Sequence, residues 1–164
     1  MQSRHCKSIA LFSFVSLTLG LIIFWLNDFL GIQLPQIIPG IELSTYGILI
    51  LLSYIGIFVL QQKLAVKAKA DITVFQLVSD STIIAAVSQF LYFPIRELIL
   101  GTDISDRIIK ILTVSLISTV VLCLIAAAIA VEIKKIKGGL RHLPTIILIL
   151  LVFLLKNYIN DFKW

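Results

Sequence analysis

The side chains best placed to do chemistry are Asp80, with Gln76 one helical turn before it, and a charged group formed by Arg96, Glu97, Asp103, Asp106 and Arg107. Asp80 lies eight positions into the run that starts at Ile72. On a helix that distance is ~12 Å, close to the middle of a bilayer. A charge there is costly unless it is protonated, paired or hydrated, so one reading is a proton or cation site to which Gln76 contributes. A second reading takes Ser79-Asp80-Ser81 as a helix N-cap, with Ile72 to Val78 lying along the membrane surface.

Arg96 and Glu97 follow Pro94, which removes one helix hydrogen bond and predicts a kink or an end to the helix. Adjacent residues point to different sides of a helix, so each of the two needs a partner elsewhere. Asp103, Asp106, Arg107 and Lys110 stand across a short connection and fit that need. The arrangement reads as a clamp at a membrane face, with a substrate site as the alternative. Arg96 is sixteen residues from Asp80, about 24 Å along a straight helix, so the two cannot share one site.

Other chemistries lack their residues. No nucleophile motif, phosphate loop, zinc motif or dinucleotide fingerprint occurs. His5 and His142 have no metal-ligand spacing around them, and Cys6 and Cys123 are not placed as a metal site or a disulfide framework. No cofactor, no metal and no catalytic residue is expected, and the chain reads as a non-enzyme.

The elements that must carry these residues follow from composition. With 59% hydrophobic residues, 14% charged and a mean hydropathy of +1.06 over 164 residues, the chain lies in the transmembrane class, with room for one helical bundle and no separate aqueous domain. A span needs about 20 apolar residues. Five segments qualify, at about residues 8–26, 43–62, 72–95, 111–131 and 142–158, and the predicted fold is an all-α, polytopic bundle of five transmembrane helices. The last is the shortest, leaving four spans if it does not cross. It is apolar all round, which argues against an interfacial helix, and Arg141 and Lys156 can snorkel from its ends. The first run is longer than a signal core and lacks a small-residue cleavage site, so it reads as an uncleaved span.

Five spans place the termini on opposite sides. Lys and Arg then divide nine to five, which predicts a cytoplasmic N-terminus and an outer C-terminus. Trp25, Tyr46, Tyr92 and Tyr158 all fall at the outer ends, as an aromatic belt would. The formal charge of +5 sits in short runs beside the spans, where it matches orientation signals or anionic lipid at the basic loops better than nucleic acid.

Small residues predict where helices meet in lipid. Ser115, Thr119, Cys123 and Ala127 form a strip on the fourth span, which points to a central position for it. Ser81, Ala85 and Ser88 on the third span and Ser13, Ser16 and Gly20 on the first are expected to face each other. The fifth span is bulky throughout and is expected at the periphery, against lipid or a partner protein.

The stretch Phe93-Pro-Ile-Arg-Glu-Leu-Ile-Leu-Gly101, followed by Asp103, Asp106 and a span rich in small residues, resembles the phosphate-starvation-inducible family of small bacterial inner-membrane proteins. The likeness covers Tyr46 to Lys137. It departs from the family in the second span, which lacks acidic residues near its end, and in the additional fifth helix. The resemblance implies a stress-linked setting in a bacterial inner membrane and marks Arg96, Glu97 and Asp103 for testing. Taken together, the expectation is an accessory membrane component that associates with itself or with other membrane proteins. A small oligomeric transporter or proton/cation channel using Asp80, with Pro94 as its flexing point, is the alternative.

Overall fold

In a computed structural model, the structure describes residues 2–28, 45–69, 71–102, 104–136 and 141–151. Among these, all regular structure is helical: α1 spans Gln2–Asp28, α2 Thr45–Ala68, α3 Val74–Ile99 and α4 Ile104–Ile133. Each contains a stretch long and apolar enough to cross a membrane, at Cys6–Leu26, Leu49–Ala68, Val74–Ile99 and Arg107–Ile133. All four outrun the sequence estimates at one end or both, because Lys, Arg and Gln are good helix formers and the helix does not stop where the hydrophobicity does. Thus α2 continues past Gln62 through Lys63 and Lys67. Residues 143–151 are also helical; residues 152–158 of the expected fifth span lie outside the described residues, as does Asp103.

Contacts fix the relative directions. Gly20 on α1 lies against Tyr92 on α3, and four residues later Phe24 meets Arg96, so α1 and α3 run parallel. Between α2 and α3 the register runs the other way, Tyr54 pairing with Ser88 and Gln62 with Ser81. The helices therefore alternate in direction. The central member is α3, which packs most extensively on α4, then on α1, and also on α2. The expectation that α4 would be central is corrected, and its small strip is used only in part: Ser115 and Thr119 are buried, Cys123 and Ala127 are half-buried, and the adjacent Ala126 and Ala130 are the fully buried positions.

The buried face of α3 consists of Leu77, Asp80, Ser81, Ile84, Ala85, Ser88, Gln89 and Tyr92, at the three- and four-residue steps that place side chains on one stripe. Tyr54, Ile57 and Phe58 of α2, Ile84 and Ala85 of α3, and Leu122, Ile125 and Ala126 of α4 form one apolar cluster, on whose edge Leu148 of the last helix packs. Its neighbours Ile146, Ile147, Ile149 and Leu150 are exposed, as are Leu11, Phe14, Leu52, Phe90 and Leu116 on the four long helices. Large apolar side chains thus cover the outside as well as the inside, where Phe58, Leu77 and Ile84 are buried beside Ser81, Ser88 and Ser115. An apolar exterior is what lipid as solvent favours, and close backbone approach and interhelical hydrogen bonds then add to the packing.

Two ends are closed by local chemistry. Thr73 caps α3: its hydroxyl accepts from the Gln76 N–H at 3.2 Å and the Gln76 side chain accepts from the Thr73 N–H at 3.1 Å. Past α4, the guanidinium of Arg141 donates twice to Glu132, at 2.7 and 2.8 Å, and this carboxylate holds Arg141 above the usual guanidinium range.

Candidate functional site

Polar side chains inside the bundle gather into two nodes along α3. At the inner node, named for the capped end of α3, Gln62 donates through Nε2 to Ser81 Oγ and to the carbonyl of Ala126, both at 3.0 Å. The single hydroxyl proton of Ser81 is shared between Gln61 Oε1 at 3.0 Å and the Leu77 carbonyl at 2.9 Å. Asp80 is beside Ser81 in the chain and 6% exposed. About two turns further on, Tyr54 OH and Ser88 Oγ are 2.6 Å apart and Gln89 donates to the same phenol at 2.8 Å. Between the nodes stand Ile57, Phe58, Ile84 and Ala85, so an apolar layer separates them.

The structure separates Asp80 from Gln76. Gln76 is exposed and committed to the capping box, so the expected contribution of Gln76 to an intramembrane site is corrected. It also corrects the N-cap reading of Ser79-Asp80-Ser81. Thr73 takes that role, and Asp80 lies in the helix interior, two turns in, on the buried stripe. A reciprocal Thr/Gln cap satisfies two backbone donors, and it occurs where Lys69, Asp71 and the preceding connection already leave the helix.

At the opposite end, the turn between α3 and α4 is built around Glu97. Gly101 adopts a left-handed conformation, φ 70°, and the N–H groups of Thr102 and Gly101 close on the carbonyls of Glu97 and Leu98 at 3.1 Å. The Glu97 carboxylate, nearly buried, accepts from Thr102 Oγ1 at 2.7 Å and from Arg107 Nη1 at 3.2 Å. Arg96 Nη1 also reaches Glu97, at 3.6 Å. The expectation that Arg96 and Glu97 would each find a separate partner therefore holds for Glu97 with Arg107, while the long Arg96 side chain bends back to its neighbour. Its guanidinium also lies over the Phe24 ring, 5.6 Å from the centroid. Asp106 falls in the first turn of α4. Pro94 neither ends α3 nor prevents this clamp, since the helix continues to Ile99.

Tyr92, expected in the interfacial belt, is 4% exposed and packs against Gly20 inside the bundle, whereas Trp25 is exposed. The side chains of Tyr46 and Tyr158 lie outside the described residues. Sequence reasoning passed over Tyr54, Gln61, Gln62 and Phe24. Two adjacent glutamines within an apolar helix were the signal available, because buried amides need partners. Among the described residues there is no cluster of metal-ligating side chains.

A cleft of about 230 Å³ lies between α3 and α4 at the turn end, lined by the charged Arg96, Glu97, Arg107 and Lys110 and the apolar Phe93, Leu100, Ile111 and Val114. No family model matches the chain, and neither the curated proteins nor the solved structures give a match. The described residues form an all-α bundle with four helices long and apolar enough to cross a membrane.

Proposed function

We propose that the chain is a five-span protein of a bacterial inner membrane, N-terminus cytoplasmic and C-terminus outside, serving as a non-enzymatic accessory or stress-linked component that associates with itself or with other membrane proteins. The observation that carries this reading is the side-chain hydrogen bonding between α2 and α3, of Tyr54 with Ser88 and Gln89 and of Ser81 with Gln61 and Gln62. A bundle braced from within, with bulky apolar side chains outward on every helix, is suited to holding a fixed shape against lipid and neighbouring helices. The described part of the last helix supports the partner claim. It touches the core through Leu148 and exposes Ile146, Ile147, Ile149 and Leu150. Blue-native electrophoresis in a mild detergent tests it. The expected result is a band heavier than the 18.3 kDa chain with its micelle, and a monomer alone would contradict association.

Asp80 favours a second reading, a small oligomeric transporter or proton/cation channel. A carboxylate 6% exposed in a helix interior, beside a hydrogen-bonded node, has the setting of a proton-binding group. Ion flux in reconstituted vesicles that falls in Asp80→Asn supports it, and flux unchanged by that substitution removes Asp80 from the role.

A further inference from the structure

The cleft between the C-terminal turns of α3 and the N-terminal turns of α4 has a graded lining. Arg96, Arg107 and Lys110 supply three cations and Glu97 one carboxylate, among the described residues. That carboxylate already serves Thr102 and Arg107 at 2.7 and 3.2 Å, with Arg96 Nη1 3.6 Å from it. Arg96 is held in place from behind by the Phe24 ring, and its Nε is buried with no acceptor among the described residues. Deeper along each helix the lining turns apolar, with Phe93 one turn before Arg96 and Ile111 and Val114 past Lys110, while Leu100 adds carbon on the turn side. Cations therefore stand at the depth where a membrane helix ends, and carbon stands below them.

We propose that this cleft binds an anionic amphiphile, its phosphate held by Arg96 and Lys110 with Arg107 at the side, and the first carbons of its chain lying on Phe93, Ile111 and Val114. A guanidinium pair and an ammonium suit a phosphate, the first by forked hydrogen bonds and the second as a point charge. The apolar floor selects a lipid over a soluble phosphate, because a free anion gains nothing from carbon and loses hydration beside it. Binding here is separate from the accessory or transport readings and does not depend on Asp80.

Native mass spectrometry of the purified full chain tests the site with three probes: dioleoyl phosphatidylglycerol, dioleoyl phosphatidylcholine and glycerol phosphate. The expected result is one phosphatidylglycerol retained in preference to phosphatidylcholine, with glycerol phosphate much weaker. Lys110→Gln leaves the Glu97 clamp with Thr102 and Arg107 in place and weakens retention about fivefold, and adding Arg96→Gln weakens it about as much again. Lys63→Gln with Lys67→Gln, at the other end of the bundle, leaves it unchanged. Retention that survives both cleft substitutions, equal retention of the two lipids, or glycerol phosphate bound as tightly as lipid would each overturn the proposal.

Discussion

Lys135 adopts a left-handed backbone conformation, φ 51°, where α4 ends, while the N–H groups of Lys135 and Ile136 close on the carbonyls of Glu132 and Val131 at 3.1 Å. This is a helix terminus that favours glycine, and a side chain with a Cβ is strained there. Lys135→Gly is expected to stabilise the fold by about 0.5–1 kcal/mol and Lys135→Ala to change it little. Thermal unfolding in detergent measures both, and an alanine variant as stable as the glycine one would refute the strain. Within the inner node, Ser81 accepts from Gln62 and donates to Gln61. A double-mutant cycle on Ser81→Ala and Gln62→Leu is expected to give a coupling of roughly 0.6 kcal/mol, with about 1.7 kcal/mol as its upper range. Additive effects would mean that the two side chains do not interact in the membrane-embedded protein.

Helix existence was legible because hydrophobic runs of span length have one physical meaning in this composition, whereas the pairing of small faces was legible only in that Gly20 of α1 meets α3, since Ser81 and Ser88 bond instead to Gln61, Gln62 and Tyr54 of α2. The contact of Gly20 with Tyr92 follows from the close approach that lipid leaves as the main attraction. A Cβ at position 20 would come 3.3 Å from the Tyr92 ring, so the helices meet where glycine permits it. Gly20→Leu is expected to destabilise the α1–α3 pairing by about 1–3 kcal/mol, with partial recovery when Tyr92→Ala is added, as read by unfolding in detergent. No recovery would place the conflict elsewhere. What sequence alone left open was which polar residues start a helix and which are carried inside one. Thr73 and Asp80 both have cap chemistry, and the choice depends on Gln76 completing a reciprocal box at Thr73. Hydrogen exchange is expected to show earlier fraying at the start of α3 in Thr73→Ala, at a cost of about 1 kcal/mol. The role of Gln61 and Gln62 was not legible, because their partners come from Ser81 and Ala126, distant in sequence, and only the packing of α2 against both α3 and α4 joins them.

At the scale of the molecule, α3 is the axis on which both ends and both nodes are hung, and it divides into an outward apolar surface and a buried stripe that sets Asp80, Ser81, Ser88 and Gln89 among Leu77, Ile84 and Ala85. That division is the central claim, since α3 carries Asp80, Arg96 and Glu97 and would mean something different with water on its outer face. Nitroxide labels placed singly along α3 in reconstituted bilayers, with collision rates to oxygen and to a water-soluble nickel chelate, measure it directly. Positions Ile83, Val87, Phe90 and Leu91 are exposed, and the expected result there is high oxygen and low nickel accessibility, while Ser81, Ile84 and Ser88 are low for both. High nickel accessibility at the first group would contradict a lipid-facing surface and with it the membrane-spanning bundle.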